Sequence, residues 1–166
     1  ASDWAGEVGH MSVRHPGRAC SCGGCGCIEA YASGPALAAR AAEGIDSAPN
    51  SSLAALVREG PGPVTAEAVC GAAAAGDAYA VRVVEETARI LAVGVANLIH
   101  LFNPEMIVLG GGLSGAGEVL FGPLRAEVRR RTFRPAWEAC SIVAARFPNT
   151  AGMIGAAGVL KRAIHG

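Results

Sequence analysis

The segment "GEVGHMSVRHPGRACSCGGCGCIEA", residues 6 to 30, places His10 ahead of four cysteines crowded into eight positions: Cys20, Cys22, Cys25 and Cys27. Thiolates and an imidazole are zinc ligands, and a structural zinc ion takes four of them in a tetrahedron. A disulfide framework is the competing use, but it belongs to oxidising compartments and small loop-rich scaffolds. Cys20 and Cys22 are also too close in sequence to pair easily with each other. The remaining cysteines, Cys70 and Cys140, sit in apolar segments and suit small buried hydrophobes. The clustered four lie among glycines, and Gly23, Gly24 and Gly26 let the backbone wrap tightly around an ion. The spacing predicts a Cys3His zinc site using His10, Cys20, Cys22 and one further sulfur, either Cys25 or Cys27. Two carboxylates, Glu7 and Glu29, stand at its edges.

A second candidate is the glycine turn "LGGGLSG". Gly110, Gly112 and Gly115 fit the Gly-x-Gly-x-x-Gly spacing of a dinucleotide site, between an expected strand and an expected helix. That reading needs an acidic residue at the end of the next strand, and "AARFPN" offers Arg146 instead. No Gly-Lys-Ser/Thr follows, so a P-loop is excluded. A plain tight turn remains.

The elements that must position these residues follow from periodicity. A long helix is expected from Asp77 to about Phe102, because Val81, Val84, Ala88, Leu91, Val95, Leu98 and Phe102 recur at spacings of three and four. Arg82–Glu86 and Glu85–Arg89 add i,i+4 pairs outside, and Asn103-Pro104 ends it. Gly94 within it costs about 1 kcal/mol relative to alanine, which implies a closely packed neighbour. Ser33 and Thr65 are expected N-caps of shorter helices, with Pro35 in a first turn. Residues 44–63 form a surface excursion holding one helical piece, "SLAALVRE". Then come "EMIVLGGG" as a buried strand, "GEVLFGPLRAEVRRRTF" as a helix, "CSIVAARF" as a second buried strand and "AGMIGAAGVLKRAI" as a closing helix. This order implies parallel strands and an α/β fold. With a short strand over residues 8–14, only three strands are visible, fewer than an open α/β sheet usually has.

The 166 residues suit one domain with a real core, and 51% hydrophobic against 17% charged residues excludes disorder. Zero net charge argues against an electrostatic nucleic-acid or membrane-surface binder. The basic run Arg125, Arg129, Arg130, Arg131 and Arg134 reads as the solvated face and C-terminal turn of a helix. "ASDWAGEVGH" has no signal-peptide pattern, and "ILAVGVANLIHLF" is too short to span a bilayer, so a cytoplasmic protein is expected. The first residue is not methionine, as in a processed product or a fragment.

The residues from Gly6 to Glu29 resemble the signature of the ROK family (repressors, open reading frames, sugar kinases), and its bacterial glucokinases in particular. That signature runs Gly-Glu-x-Gly-His, a gap, then Cys-x-Cys-Gly-x-x-Gly-Cys-x-Glu. Gly6, Glu7, Gly9, His10, Cys20, Cys22, Gly23, Gly26, Cys27 and Glu29 meet every fixed position. The resemblance puts Cys25 at a variable position, which makes Cys27 the third sulfur ligand. It further implies that Glu7, His10 and Glu29 hydrogen-bond the hydroxyls of a hexose, with the zinc ion as a structural support. "NPEMIVLGGGLSGAGEVLFGPLRAEV" is similar to the nucleotide-binding segment of actin-like sugar kinases, which assigns Gly110, Gly111 and Gly112 to ATP. "TAGMIGAAGVL" is similar to the family's closing helix.

By this resemblance the chain is part of an actin-like ATPase (ribonuclease H-like) C-terminal domain, with a zinc and sugar loop at 6–30 and a nucleotide turn at 103–117. The implied activity is transfer of the γ-phosphoryl group of ATP, with Mg²⁺, to the 6-hydroxyl of glucose or a related hexose. The implied assembly is a homo-oligomer. The family's Asp-x-Gly-x-Thr loop, its Asn-Asp catalytic base and its Gly-Thr-Gly turn do not occur here. The aspartates present are Asp3, Asp46 and Asp77, none of them placed as a base. The expectation is therefore a chain that carries the second half of such a protein, lacks the N-terminal domain and is inactive by itself. The alternative is the sugar-sensing half of a ROK repressor, where nucleic acid would be a partner; "YASGPAL" resembles the kinase branch more closely.

Overall fold

The computed structural model describes residues 6–60, 62–147 and 150–165; Asp3 lies outside them. The helices begin where side chains can satisfy free amides at their first turns. Helix α1 spans Glu29–Ala32 and α2 spans Gly34–Glu43, with Ser33 Oγ accepting the Ala36 amide at 3.2 Å and Pro35 in the first turn. Helix α3 spans Ser52–Glu59 within the 44–63 excursion, and α4 spans Ala66–Ala74, capped by Thr65 through the Ala68 amide at 3.1 Å.

Helix α5, Ala78–Phe102, is the axis of the molecule. Asp77 caps it, accepting the Tyr79 and Ala80 amides at 3.0 Å each and also three donors from Ser51 and Ser52. Burial alone would raise this carboxyl, but the Ala80 amide and the serine donors outweigh it and hold the group below the usual carboxylate range. A carboxylate so fully engaged is a cap rather than a base. Asp46 lies in a single 3₁₀ turn, Ile45–Ser47. The far end of α5 stops at Asn103, which adopts the left-handed conformation (φ 44°, ψ 53°) ahead of Pro104.

Strand β1, Met106–Leu109, pairs in parallel with β2, Ser141–Ala144, in the register Met106↔Ser141 to Leu109↔Ala144. Helices α6 (Glu118–Arg131) and α7 (Arg134–Ala139) make the crossover, and α8 (Ala151–His165) follows. The α/β class and the parallel pairing agree with the sequence. The third strand does not form. Residues 8–10 make a 3₁₀ turn, and beyond it Ser12 makes only an isolated bridge to Cys27. Its backbone groups are used by the cysteine loop instead: the Val13 amide donates to Gly26 at 2.8 Å, and Met11 accepts from Ile28 at 3.0 Å.

The core lies between α5 and the elements on several of its sides. Leu120, Phe121, Leu124 and Val128 of α6, Val69 and Ala73 of α4, and Leu37 and Ala41 of α2 are all buried against it. The expected stripe is only partly the buried one. Val84, Ala88 and Val95 are buried, while Val81, Leu91 and Leu98 are half-buried and Phe102 is exposed. Ala80, Ala92, Ala96 and Ile99 are buried instead, because α5 is covered on more than one face. Gly94 does meet a close neighbour, since a Cβ there would stand 2.2 Å from Cδ1 of Ile28. Gly94→Ala should therefore cost about 1–3 kcal/mol in denaturant unfolding, although alanine is the better helix former.

Both strands were expected to be buried; in β2 only Ile142 is, and in β1 no residue is. Met106 and Val108, each 55% exposed, point away from the core. Helix α8 has the expected bounds, yet every one of its side chains that is described is exposed, among them Met153, Ile154, Val159 and Leu160. The basic run is a solvated face as expected, with Arg125 on Glu118, Arg130 and Arg131 on Glu127, and Arg134 on Glu138. Among the described residues no helix is long and apolar enough to cross a membrane.

Candidate metal centre

The loop from Val8 to Ile28 folds back on itself through a short set of backbone hydrogen bonds. Cys20 donates to Gly24 at 2.9 Å, Gly23 to Cys20 at 3.0 Å and Gly26 to Arg18 at 2.8 Å. Gly23 and Gly26 both have positive φ (88° and 75°). At Gly26 a side chain is excluded outright, because a Cβ would lie 1.8 Å from the Arg14 carbonyl oxygen.

This path brings one donor atom from each of His10, Cys20, Cys22 and Cys27 within 4.8 Å of the others. Cys20 Sγ is 3.6 Å from His10 Nδ1, and Cys22 Sγ is 3.7 Å from Cys27 Sγ. Zinc–sulfur bonds of about 2.3 Å and zinc–nitrogen bonds of about 2.0 Å put the edges of a tetrahedron at roughly 3.5–3.8 Å. A disulfide would bring its sulfurs to about 2.05 Å. These two separations match edges of a coordination tetrahedron, and the remaining donor pairs lie within 4.8 Å. Cys25 stands apart from the cluster: it is exposed, bridges Ala19 and accepts the Ser12 hydroxyl on its carbonyl.

The thiols differ in their surroundings. The Cys22 backbone amide, helped by His10 and the neighbouring thiols, pulls the Cys20 thiol down to about 6. Burial pushes the Cys27 thiol up to about 12. His10 is raised, first by its hydrogen bond to Cys20 and then by the charges of Glu29, Cys20 and Glu7. A cation among these groups would displace protons from Cys27 and His10.

With Nδ1 turned to Cys20, the other ring nitrogen of His10, Nε2, faces Glu7 Oε2 at 4.0 Å. Glu29 opens α1, where its charge suits the positive end of the helix. Its Oε1 accepts the Ser21 hydroxyl at 3.4 Å, and Gly9 lets the backbone pass so close that a Cβ there would be 3.5 Å from Oε2. Glu7 and Glu29 are both exposed, so Glu7, His10 Nε2 and Glu29 form an open acceptor-rich rim beside the four-donor cluster. Ser21 went unnoticed in the sequence because a serine between two cysteines carries no signal of its own. Asn97 was likewise missed; its Nδ2 reaches Met11 Sδ at 3.5 Å and ties α5 to the loop.

The glycine turn lies apart from this cluster in the chain, between β1 and a 3₁₀ turn at Gly112–Ala116 that leads into α6. Gly111 has φ 84° and accepts the Ser114 amide at 3.0 Å and the Ser114 hydroxyl at 2.7 Å. No atom lies within 4 Å of where a Cβ would stand at Gly111 or Gly112, so the turn presents bare backbone to open space.

A loop-borne Cys3His cluster with a carboxylate rim on a helix-rich α/β frame is the combination to which the comparisons with known proteins speak. The ROK family model matches residues 2–163, and the chain belongs to the ROK family. It is 38% identical to a glucokinase of Thermotoga maritima over 160 residues, covering 96% of this chain and 50% of the relative. A solved ROK family glucokinase from Streptomyces griseus, in complex with glucose and AMPPNP, superposes with a TM-score of 0.82 at 34% identity, over 93% of this chain and 51% of that one. A solved ROK family transcriptional regulator, a homologue of the Escherichia coli Mlc protein, superposes with a TM-score of 0.78 at 33% identity, over 92% and 37% of the two chains. The chain spans about half the length of the curated glucokinases it matches.

Proposed function

We propose that this chain is the sugar- and nucleotide-binding half of a ROK hexose kinase. In the whole protein the γ-phosphoryl group of ATP, with Mg²⁺, would pass to the 6-hydroxyl of glucose or a related hexose. One observation carries the reading: the free nitrogen of His10 and the carboxylates of Glu7 and Glu29 meet at an exposed rim beside the metal-type cluster. Carboxylates accept sugar hydroxyls in charge-assisted hydrogen bonds, which are stronger than neutral ones. His10 would bind zinc through Nδ1, and that bond would fix its tautomer and its aim.

Zinc held by His10, Cys20, Cys22 and Cys27 would supply a rigid anchor for the loop. The chain's own residues do the recognition. Glu29 is steadied by Ser21 and by its place at the start of α1, and Glu7 is carried by the 3₁₀ turn that also carries His10. Gly110, Gly111 and Gly112 would let the adenosine and phosphates of ATP approach backbone amides ahead of α6. The catalytic base and the remaining phosphate contacts would come from an N-terminal domain, for which the uncovered faces of β1 and α8 are suitable ground. The proposed setting is the cytoplasm, where thiols stay reduced.

Calorimetry with glucose tests the sugar site. The unaltered chain should bind, and Glu7→Gln and Glu29→Gln should each weaken binding by about ten-fold or more, since a hydrogen bond to a charged group is worth about 1.5–3 kcal/mol. Unchanged affinity in the double variant would end the sugar reading and leave a structural metal module. The isolated chain should form no glucose 6-phosphate from ATP. A second reading, the sugar-sensing half of a repressor, is supported by the likeness to the Mlc homologue. Coding sequence ahead of Ala1 separates the two: a helix-turn-helix for a repressor, an Asp-x-Gly-x-Thr loop for a kinase.

A further inference from the structure

A cavity of about 990 Å³ adjoins the metal loop, walled by Arg14, Pro16, Gly17 and Arg18, the end of α2 and one face of α5. None of its lining residues belongs to the four-donor cluster or to the carboxylate rim. Five arginines line it, Arg14, Arg18, Arg40, Arg82 and Arg89, against two glutamates, Glu43 and Glu86. The local excess of three positive charges is concentrated in a chain whose net charge is zero.

The five guanidiniums divide by their partners. Arg18 is held by Glu43 in a two-pronged pair at 2.7 and 2.6 Å, which ties the loop to α2. Arg40, with a side chain only 7% exposed, donates to Glu86 at 2.6 Å and to Thr87 at 2.8 Å, which ties α2 to α5. These two are structural. Arg14 and Arg82 are different. Arg14 lies over the Tyr31 ring at 5.8 Å and makes a loose ion pair, at 3.6 Å, with the Glu86 carboxylate oxygen that Arg40 does not hold. Arg82 stacks over the Tyr79 ring at 5.6 Å and has no carboxylate partner among the described residues, so the Arg82–Glu86 pair expected from spacing does not form.

Both tyrosines are anchored at their hydroxyls. Tyr31 accepts the Arg18 amide at 2.7 Å, and Tyr79 donates to the Ala41 carbonyl at 2.6 Å. A guanidinium held over a ring face by cation–π attraction keeps N–H donors free for another partner. Arg89, one α5 turn beyond Glu86, is exposed and holds only the surface carboxylate Glu85, at 3.1 Å. Such surface pairs are worth at most about 1 kcal/mol and yield readily.

We propose that this cavity is a second ligand site, which binds a small phosphorylated compound through Arg14, Arg82 and Arg89. Forked donors match the oxygens of a phosphate group, and three cations around one cavity suit a dianion or a higher charge. The site does not rest on the sugar reading, because it shares no residue with the rim. It would reach the metal loop mechanically: Arg14 and Gly17 lie in its wall, and the backbone of both abuts Gly26.

The test is calorimetry on the purified full chain with pyrophosphate and with glucose 6-phosphate, at low salt, with glucose and citrate as controls. Saturable binding of both phosphates is expected, unaffected by saturating glucose. Arg82→Ala should weaken it by about ten-fold, the worth of a hydrogen bond to a charged group, and Arg14→Ala/Arg82→Ala by more. Arg130→Ala/Arg134→Ala, which removes the same charge from the basic run elsewhere, should leave it unchanged. Arg82 is exposed, so its loss should not disturb folding, and circular dichroism of each variant checks this. Any of four results would overturn the proposal: no saturable binding, equal binding by Arg14→Ala/Arg82→Ala, displacement of glucose 6-phosphate by glucose, or equal affinity for citrate.

Discussion

Cys27→Ser should abolish stoichiometric zinc binding, whereas Cys25→Ser should leave one zinc ion per chain. The two cysteines are two positions apart, and the contrast follows from where their side chains go. Cys27 is buried and contributes Sγ to the four-donor cluster, while Cys25 is exposed and outside it. A structural zinc site of four ligands binds with about 10–16 kcal/mol, so one lost ligand should weaken it by about a hundred-fold or more. His10→Ala should behave like Cys27→Ser, and should also blunt sugar affinity, since Nε2 faces the rim. Inductively coupled plasma mass spectrometry after dialysis reads the stoichiometry. Zinc retained in Cys27→Ser would overturn the ligand set.

Acid should reproduce the loss. The ligands bind zinc deprotonated, and a proton competes at each one. The His10 imidazole is raised by its neighbours, the Cys20 thiol lies at about 6 and the Cys27 thiol is pushed up to about 12. Lowering the pH through about 6 protonates Cys20 as well as the other two, so affinity should fall most steeply there and recover as pH rises. Zinc-dependent thermal stabilisation should follow the same trend, because a metal that binds only the folded chain stabilises it, at free concentration c, by RT ln(1 + c/Kd), which shrinks as Kd rises.

Gly26→Ala should unfold the loop, at a cost of about 2–4 kcal/mol, and should remove zinc without touching a ligand. Two effects combine. Gly26 has φ 75°, which an alanine adopts at about 1 kcal/mol or more, and the new Cβ would lie 1.8 Å from the Arg14 carbonyl oxygen. That atom is backbone, and it cannot swing away as a side-chain end could. Relief would break the Gly26–Arg18 and Val13–Gly26 hydrogen bonds, both 2.8 Å, which close the loop around the donors. Gly23→Ala is the control. Its φ of 88° is equally unusual for alanine, but no atom lies within 4 Å of its Cβ position. It should cost only about 1–2 kcal/mol and retain zinc. Equal losses in the two variants, measured by urea denaturation and metal content, would show that backbone conformation alone matters.

The loop was legible in the sequence because its chemistry is dense and local: four thiols, two histidines and six glycines between Gly6 and Cys27 leave few other uses for the segment. The family pattern excluded Cys25, and the fold put it outside the cluster. The caps at Ser33, Thr65 and Asp77 and the long α5 were legible for a similar reason, since a cap and a helical period act over one to a few turns.

Other features depended on contacts across the chain. The segment 8–14 looked strand-like, but its backbone partners are Gly26 and Ile28, and only tertiary structure says which groups a backbone amide will meet. Arg82 and Glu86 have the spacing of a pair, yet Glu86 is taken by Arg40 from α2 and Arg82 lies on Tyr79. The arginine cavity had no signature, since its five cations are scattered between positions 14 and 89.

By itself, the sequence marked the candidate donors for a metal, with Cys25 and Cys27 as alternatives until the family pattern chose between them, and it determined the family, the helix starts and the alternation that makes the two strands parallel. Tertiary structure decided which ring nitrogen of His10 turns to the thiols, which side chains α5 buries, and that β1 and α8 keep apolar faces uncovered. The reason is one of range. Capping, periodicity and ligand type act among neighbours in sequence, whereas burial, partner choice and the aim of a side chain depend on residues that only the folded chain brings together.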